Sequence, residues 1–240
     1  MKYIKLFENF DNESIDEICK EYEITNYTIN DDGSIDVDDD VDLEDQSLND
    51  IPLNFRNVSG DFSIGGNLLS NLEGCPSYVG GNFDCRYNNL TTLKGGPSYM
   101  VGNFDCEHNY LVNLEGCPQH IVGNFDCKNN KISSLEYSPN YIGGNFECYE
   151  NNIKSLQGLI TNINGDLLIE DKLKIIYDIL KDNIECIPFF YQFHIIEDYD
   201  LTDDFQSLNL KRLNKFIYLY DLEELSEEQL EELQNYYDII

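Results

Sequence analysis

The stretch that decides the fold is GNFDCRYNNLTTLKGGPSYMV, residues 81–101, because residues 102–122 repeat it in register as GNFDCEHNYLVNLEGCPQHIV. Working outward, Gly60, Gly81, Gly102, Gly123 and Gly144 open successive 21-residue units, and Gly165 opens a last, partial one. A fixed period of this size is the mark of a solenoid, whose units each contact only their neighbours. Two positions after each Gly stand Phe62, Phe83, Phe104, Phe125, Phe146 and then Leu167. Four positions after it stand Ile64, Cys85, Cys106, Cys127, Cys148 and Ile169. Apolar residues alternating with polar ones predict a strand here, with Phe and Cys turned inward.

The rest of the unit is equally regular. The seventh position is Asn67, Asn88, Asn109, Asn130 and Asn151, followed by apolar residues at the ninth and by Leu72, Leu93, Leu114, Leu135 and Leu156 at the twelfth. Pro76, Pro97, Pro118 and Pro139 then disfavour a long helix in the return path. An Asn side chain can bond the backbone where the chain leaves the strand, and identical Asn residues can bond along the stack. The repeated Gly is expected to serve tight backbone geometry before the strand. One unit cannot bury its apolar face alone, so stacking must create the core.

This pattern resembles the leucine-rich repeat, L-x-x-L-x-L-x-x-N-x-L, with Phe83, Cys85, Asn88 and Leu90 in the L, L, N and L places. The resemblance covers about residues 39–170, including a degenerate first unit with Val41, Leu43, Leu48 and Ile51 at matching offsets. The short, Pro-containing return is similar to bacterial and viral forms of the repeat. The opening Met1 to Glu8, MKYIKLFE, resembles openings of tailed-bacteriophage proteins. The fold class expected is an α/β solenoid: a leucine-rich-repeat-like parallel sheet of about six to seven units. An N-terminal helix-and-hairpin cap (1–38) would precede the repeats (39–170), and an acidic α-helical cap or domain (171–240) would follow.

In the N-terminal segment, residues 12–23 read as an amphipathic helix with Ile15, Ile18 and Cys19 on one face. Residues 24–38 then alternate around Asn30-Asp31-Asp32-Gly33, which predicts a hairpin. The same segment half-matches a calcium loop through Asn30, Asp32, Gly33, Asp36 and Asp39. Thr28 stands where the first Asp belongs, though, and Asp39 replaces the bidentate Glu. After residue 170, Lys172–Asp182 places Leu173, Ile176, Ile179 and Leu180 on one helical side. The aromatic run from Pro188 to Phe193 reads as cap core, residues 204–219 as another helix, and Ser226 with Gln229 as a capping box opening a helix over 226–238.

Charge is the second strong feature. The 240 residues hold 15 Lys and Arg against 46 Asp and Glu, a formal net charge of −31. Residues 1–58 carry 4 basic and 17 acidic groups, residues 59–170 carry 5 and 12, and residues 171–240 carry 6 and 17. Such a surface argues against direct binding to nucleic acid or anionic membrane and favours basic partners met quickly at low salt. No stretch reaches the length of a membrane span, and Lys2 and Lys5 interrupt the short apolar start, so no signal peptide is expected.

Chemistry-bearing residues are sparse. Four of the eight cysteines form the ladder, two (Cys75, Cys117) sit in the returns, and Cys19 and Cys186 lie in the flanks. A ladder with steps of about 4.8 Å cannot close on one tetrahedral metal, so the thiols read as small apolar residues. Unpaired cysteines suit a reducing cytosol. His108, His120 and His194 form no metal or triad pattern. The repeat resemblance raises the bacterial leucine-rich-repeat ubiquitin ligases, but Cys186-Ile187-Pro188 lacks their Cys-x-Asp. A non-catalytic protein without metal or cofactor is therefore expected.

Binding is expected on the outward strand positions, the concave-face place in leucine-rich repeats. The candidates are Asn82, Asp84, Arg86, Asn103, Asp105, Glu107, Asn124, Asp126, Lys128, Asn145, Glu147 and Tyr149. Stacked like charges are destabilising on a sheet, so the Asp84, Asp105, Asp126 and Glu147 run marks either a face for Lys/Arg-rich surfaces or an Asp copied with the repeat. The expected function is an acidic scaffold in the cytoplasm that binds a basic or nucleic-acid-binding protein, a host factor if the chain is phage-encoded. The alternatives are a DNA-mimicking inhibitor and a virion or assembly component.

Overall fold

The architecture was obtained as a computed structural model that describes residues 12–159, 162–180, 196–198, 206–208, 210–219, 222 and 225–239. Each 21-residue unit makes one turn of a solenoid and contributes two short strands. The first strands form a seven-stranded parallel sheet: β3 (Val41–Asp42), β5 (Phe62–Ser63), β7 (Phe83–Asp84), β9 (Phe104–Asp105), β11 (Phe125–Asp126), β13 (Phe146–Glu147) and β15 (Leu167–Leu168). Every pair is in register at the repeat, Phe62 on Phe83 and Phe83 on Phe104. The degenerate unit at Val41 is a true turn, since Val41 pairs with Phe62.

The returns form strands as well. β4 (Phe55–Val58), β6 (Tyr78–Val79) and β8 (Tyr99–Met100) build one parallel sheet, and β10 (His120–Ile121), β12 (Tyr141–Ile142) and β14 (Asn162–Ile163) another. The described repeat units hold no helix, so the α/β label fits only the ends of the chain. Pro keeps the return extended, and two residues are too few to show alternation in the sequence.

Between the sheets lies a continuous core. Phe62, Phe83, Phe104, Phe125 and Phe146 are fully buried, with ring centroids 5.9, 5.2, 5.4 and 5.2 Å apart along the stack. Cys85, Cys106, Cys127 and Cys148 fill the neighbouring column, and burial holds their thiols far up in pKa and chemically quiet. Cys186 lies outside the described residues.

The opening glycines work differently from the expectation. None in the column Gly60 to Gly165 has a positive φ. From Gly81 on, their N–H groups bond the preceding Gly carbonyl, as Gly102 N to Gly81 O at 2.9 Å, and a Cβ on Gly102 would meet that oxygen at 2.5 Å. Close approach of two turns, rather than a special dihedral, excludes every other residue there. Positive φ is found in the return at Gly74, Gly95, Gly116 and Gly158, with Tyr137 at φ 69° in the equivalent place, and just after the strand at Gly66, Tyr87, His108, Asn129 and Glu150.

Both ends are closed by added elements. Helix α1 (Asn12–Glu21) buries Ile15 and Cys19. It ends through Glu23, which is left-handed at φ 56°, while Ile24 N bonds Cys19 O at 2.8 Å. The predicted hairpin is β1 (Tyr27–Ile29) against β2 (Ile35–Val37), and β2 lies parallel on β4. Its acidic residues do not converge as a calcium loop: Asp32 accepts from Ser34, Asp36 from Arg56 and Asn57, and Asp39 from Asn26.

At the other end α2 (Asp171–Leu180) buries Leu173, Ile176 and Leu180 and packs against α4 (Glu227–Tyr236). The Ser226–Gln229 capping box opens α4, with Gln229 N on Ser226 Oγ at 3.1 Å and Ser226 N on Gln229 Oε1 at 2.9 Å. The predicted helix over 204–219 is shorter, α3 (Leu210–Leu219). Gln206–Leu208 is instead β17, antiparallel to β16 (Ile196–Asp198) and parallel to β18 (Asp238–Ile239). The C-terminal segment is thus mixed rather than all-helical, because distant short strands pair there. The run from Pro188 to Phe193 lies outside the described residues, as does Met1 to Glu8.

Candidate functional site on the outer face of the seven-stranded sheet

The twelve candidate residues fall in three columns on this face, each with its own bonding. Asn82, Asn103 and Asn124 are exposed and Asn145 is half-buried, and each lends its side-chain oxygen to the next turn. Asn82 Oδ1 accepts from Asn103 N at 2.9 Å, Asn103 Oδ1 from Asn124 N at 2.8 Å, and Asn145 Oδ1 from Asp166 N at 2.9 Å. Asp40 and Asp61 do the same for Asp61 N and Asn82 N. This column is a structural ladder that occupies the side-chain oxygens, and the Asn82 NH2 also donates to the Asp61 carboxylate at 3.2 Å.

The second column is Asp84, Asp105, Asp126 and Glu147, and its three aspartates also have a local task. Their Oδ1 atoms accept from the backbone N–H two residues on, at Arg86, Glu107 and Lys128, each at 3.0 Å. An Asx turn of this kind ends the strand and explains why Asp recurs there. Asp42 makes the same turn with Glu44 N. Neither of the two explanations offered from sequence included this one, although the Asp-x-[Arg/Glu/Lys] spacing contains it.

The third column supplies two cations. Arg86 Nε lies 3.1 Å from Asp84 Oδ2, and its terminal nitrogens lie 3.9 Å from Asp105 and 3.8 Å from Glu44. Lys128 Nζ contacts Asp126, lies 2.5 Å from Glu107 Oε2, and is 4.0 Å from Glu147. Glu107 is buried beneath this ammonium. Burial works against the charge on Lys128, but Asp126 and Glu107 outweigh it and hold the ammonium above its ordinary pKa. Tyr149 completes the column, half-buried.

Asp105 is left in the middle with the weakest compensation. Burial, followed by the like charges of Asp84, Asp126 and Glu107, pushes its carboxyl up to about 7. Asp84 is raised in the same direction, first by burial, while the Arg86 backbone N–H and guanidinium pull it back. Oxygens of Asp105, Glu107 and Asp126 lie within 4.8 Å of one another, a set that could ligate a cation, but Lys128 already bonds two of the three. The arrangement is therefore a half-neutralised carboxylate ladder suited to a cationic group and not to a preformed metal centre.

The described histidines are stacked on neighbours: His108 on Tyr87 at 4.4 Å between centroids, and His120 on Tyr141 at 4.4 Å. Neither stands in a group of metal-ligating residues, and His194 lies outside the described residues. No described helix is long and apolar enough to cross a membrane. Compared with known proteins, the chain matches no family model, and neither a curated protein nor a solved structure is significantly similar to it.

Proposed function

We propose that this protein is a leucine-rich-repeat-type scaffold without catalytic activity, which binds a basic protein partner through the outer face of the seven-stranded sheet. The observation that carries the reading is the ladder Asp84–Asp105–Asp126–Glu147, where among the described residues only Arg86 and Lys128 offset six carboxylates once Glu44 and Glu107 are counted. A Lys or Arg of a partner placed over Asp105 would favour the ionised carboxylate that burial and then the neighbouring like charges disfavour, so binding and charge relief are coupled. The overall charge of −31 adds long-range steering toward a basic surface. A cytoplasmic protein with a nucleic-acid-binding target, in a bacterial host if phage-encoded, fits this chemistry.

The test is a pull-down from bacterial lysate at low and moderate salt, beside a variant carrying Asp84→Asn, Asp105→Asn, Asp126→Asn and Glu147→Gln. Asn keeps the Asx-turn acceptor, so the fold should persist. A basic partner captured by the wild type and lost with salt and with the variant supports the reading. A partner retained equally by the variant removes the outer face as the site. Competition by duplex DNA for that partner would identify the DNA-mimic form of the same function.

A further inference from the structure

The two sheets finish differently at the N-terminal end. The return sheet is completed by the hairpin, with β2 on β4 and β1 on β2. The seven-stranded sheet stops at β3, which pairs with β5 on one side and with no described strand on the other. A cleft of about 670 Å³ borders that bare edge, between the end of α1 and the first turn of the solenoid. Glu21 and Glu23 line one wall; Asp40, Asp42, Glu44 and Asp45 line the other, and no lining residue is basic.

The backbone of the edge is presented for pairing. Val41, Leu43 and Asp45 give their N–H groups to Asp61, Ser63 and Gly65 of the next turn. Alternation therefore turns the N–H and carbonyl of Asp42 and the carbonyl of Asp40 toward the cleft. The Glu44 N–H, which would face the same way, is taken by Asp42 Oδ1 at 3.0 Å. Side chains of Asp40, Asp42 and Glu44 share one face of this strand, while Val41 and Leu43 are buried on the other.

We propose that the bare edge of β3 accepts an extended, Lys- or Arg-bearing segment of a partner protein as an eighth strand of the sheet. The segment's main chain pairs with Asp42 and the Asp40 carbonyl, and its alternate basic side chains lie beside Asp40, Asp42 and Glu44, with Glu21 and Glu23 opposite. Main-chain pairing supplies affinity and the carboxylates supply selection for basic sequence, as in other strand additions. Charges on an edge strand also keep it from pairing with neighbours. Here they are all of one sign, so they repel a second acidic edge and admit a cationic one. The proposal rests on the reading that the partner is basic, but it seats the segment's main chain on the end of the stack, where Asp42 and Glu44 begin the outer-face columns.

The experiment is calorimetric titration of the full chain with the synthetic peptide Lys-Val-Lys-Val-Lys-Val-Lys at low ionic strength. A second peptide carries N-methyl groups on alternate residues, which removes the pairing N–H groups from one edge and keeps every charge. The expected result is binding of the first peptide and at least about tenfold weaker binding of the second. Glu23→Gly serves as a control for folding, because Gly is the less strained residue at φ 56° and the variant should be more stable. It and the pair Glu21→Gln with Asp40→Asn, both on the cleft and outside the outer-face set, should each weaken the peptide several-fold, while the four-residue outer-face variant should not. Equal binding of both peptides overturns the strand pairing. Loss of binding with the outer-face variant alone overturns the location and leaves the outer-face reading standing. No binding of either peptide overturns the proposal and leaves the edge charges as a guard against aggregation. Binding at the edge with no outer-face partner from lysate sinks the outer-face reading alone.

Discussion

Two asparagine columns run along this solenoid, and in sequence they look alike. Asn82, Asn103, Asn124 and Asn145 stand one residue after the opening Gly; Asn88, Asn109, Asn130 and Asn151 stand seven after it. Both lend a side-chain oxygen to a backbone N–H of an adjacent turn. The outer column is largely exposed and water can replace what it gives. The inner column is largely buried and also donates: Asn109 Nδ2 reaches Cys85 O at 3.0 Å, Cys106 O at 3.2 Å and Glu107 O at 3.3 Å, while its Oδ1 accepts from Leu90 N at 3.0 Å. The same residue at the same period thus does two jobs, and burial sets what each is worth.

The largest effect expected follows from that difference. Asn109→Ala should cost about 3 kcal/mol, since it strands buried carbonyls and the Leu90 N–H in a place water cannot reach. Urea unfolding followed by far-ultraviolet circular dichroism measures it. A loss no greater than that of an outer-column Asn→Ala would mean that water enters the turn and that the inner column is not special.

How far these roles were legible depends on whether they repeat. The Phe and Cys ladders and the inner Asn column were readable because four or five units share one residue type at one offset. The return strands were not, because Tyr78–Val79 and its equivalents are two residues long and hold by register with the next turn. The Asp42, Asp84, Asp105 and Asp126 Asx turns are present in the sequence as a spacing, but the same carboxylates in a chain of this charge equally suit a binding face. Nothing local marks the C-terminal sheet, since Gln206–Leu208 is three residues long and holds by its partners at Ile196–Asp198 and Asp238–Ile239. The outer-face candidates lie on one surface, but the bonds that occupy the Asn column depend on neighbouring turns, and one oxygen of each Asp is taken by its own strand-ending turn.

A second prediction separates charge from hydrogen bonding within the outer columns. Asp105→Asn keeps the acceptor for Glu107 N–H and removes the carboxylate. The folded-state pKa of Asp105 is raised to about 7, above its ordinary value when unfolded. The folded protein therefore binds the extra proton. Stability attached to this group is intact at pH below the ordinary carboxylate range and is lost as pH rises to about 7. The variant lacks that loss. It should match the wild type near the ordinary carboxylate pKa and exceed it by roughly 2 kcal/mol above neutrality, a figure reduced from the full shift because the side chain is partly exposed. Thermal melts across this range measure it, and parallel curves for the two proteins would refute charge strain at Asp105.

The smallest effect tests the outer asparagines themselves. Asn103→Ala removes the acceptor for Asn124 N–H, an exposed bond, and should cost about 0.5–1 kcal/mol. Asn103→Asp should restore most of that, because Asp61 already fills the equivalent place and accepts from Asn82 N at 2.7 Å. The restoration should be incomplete at low salt, where a new carboxylate joins a ladder that already strains Asp105, and more complete as salt screens it. If Ala and Asp variants are equally stable at every salt concentration, the outer bond contributes nothing. The Asn column would then be free to serve a partner, and its four amides would rejoin the carboxylates as part of the binding face.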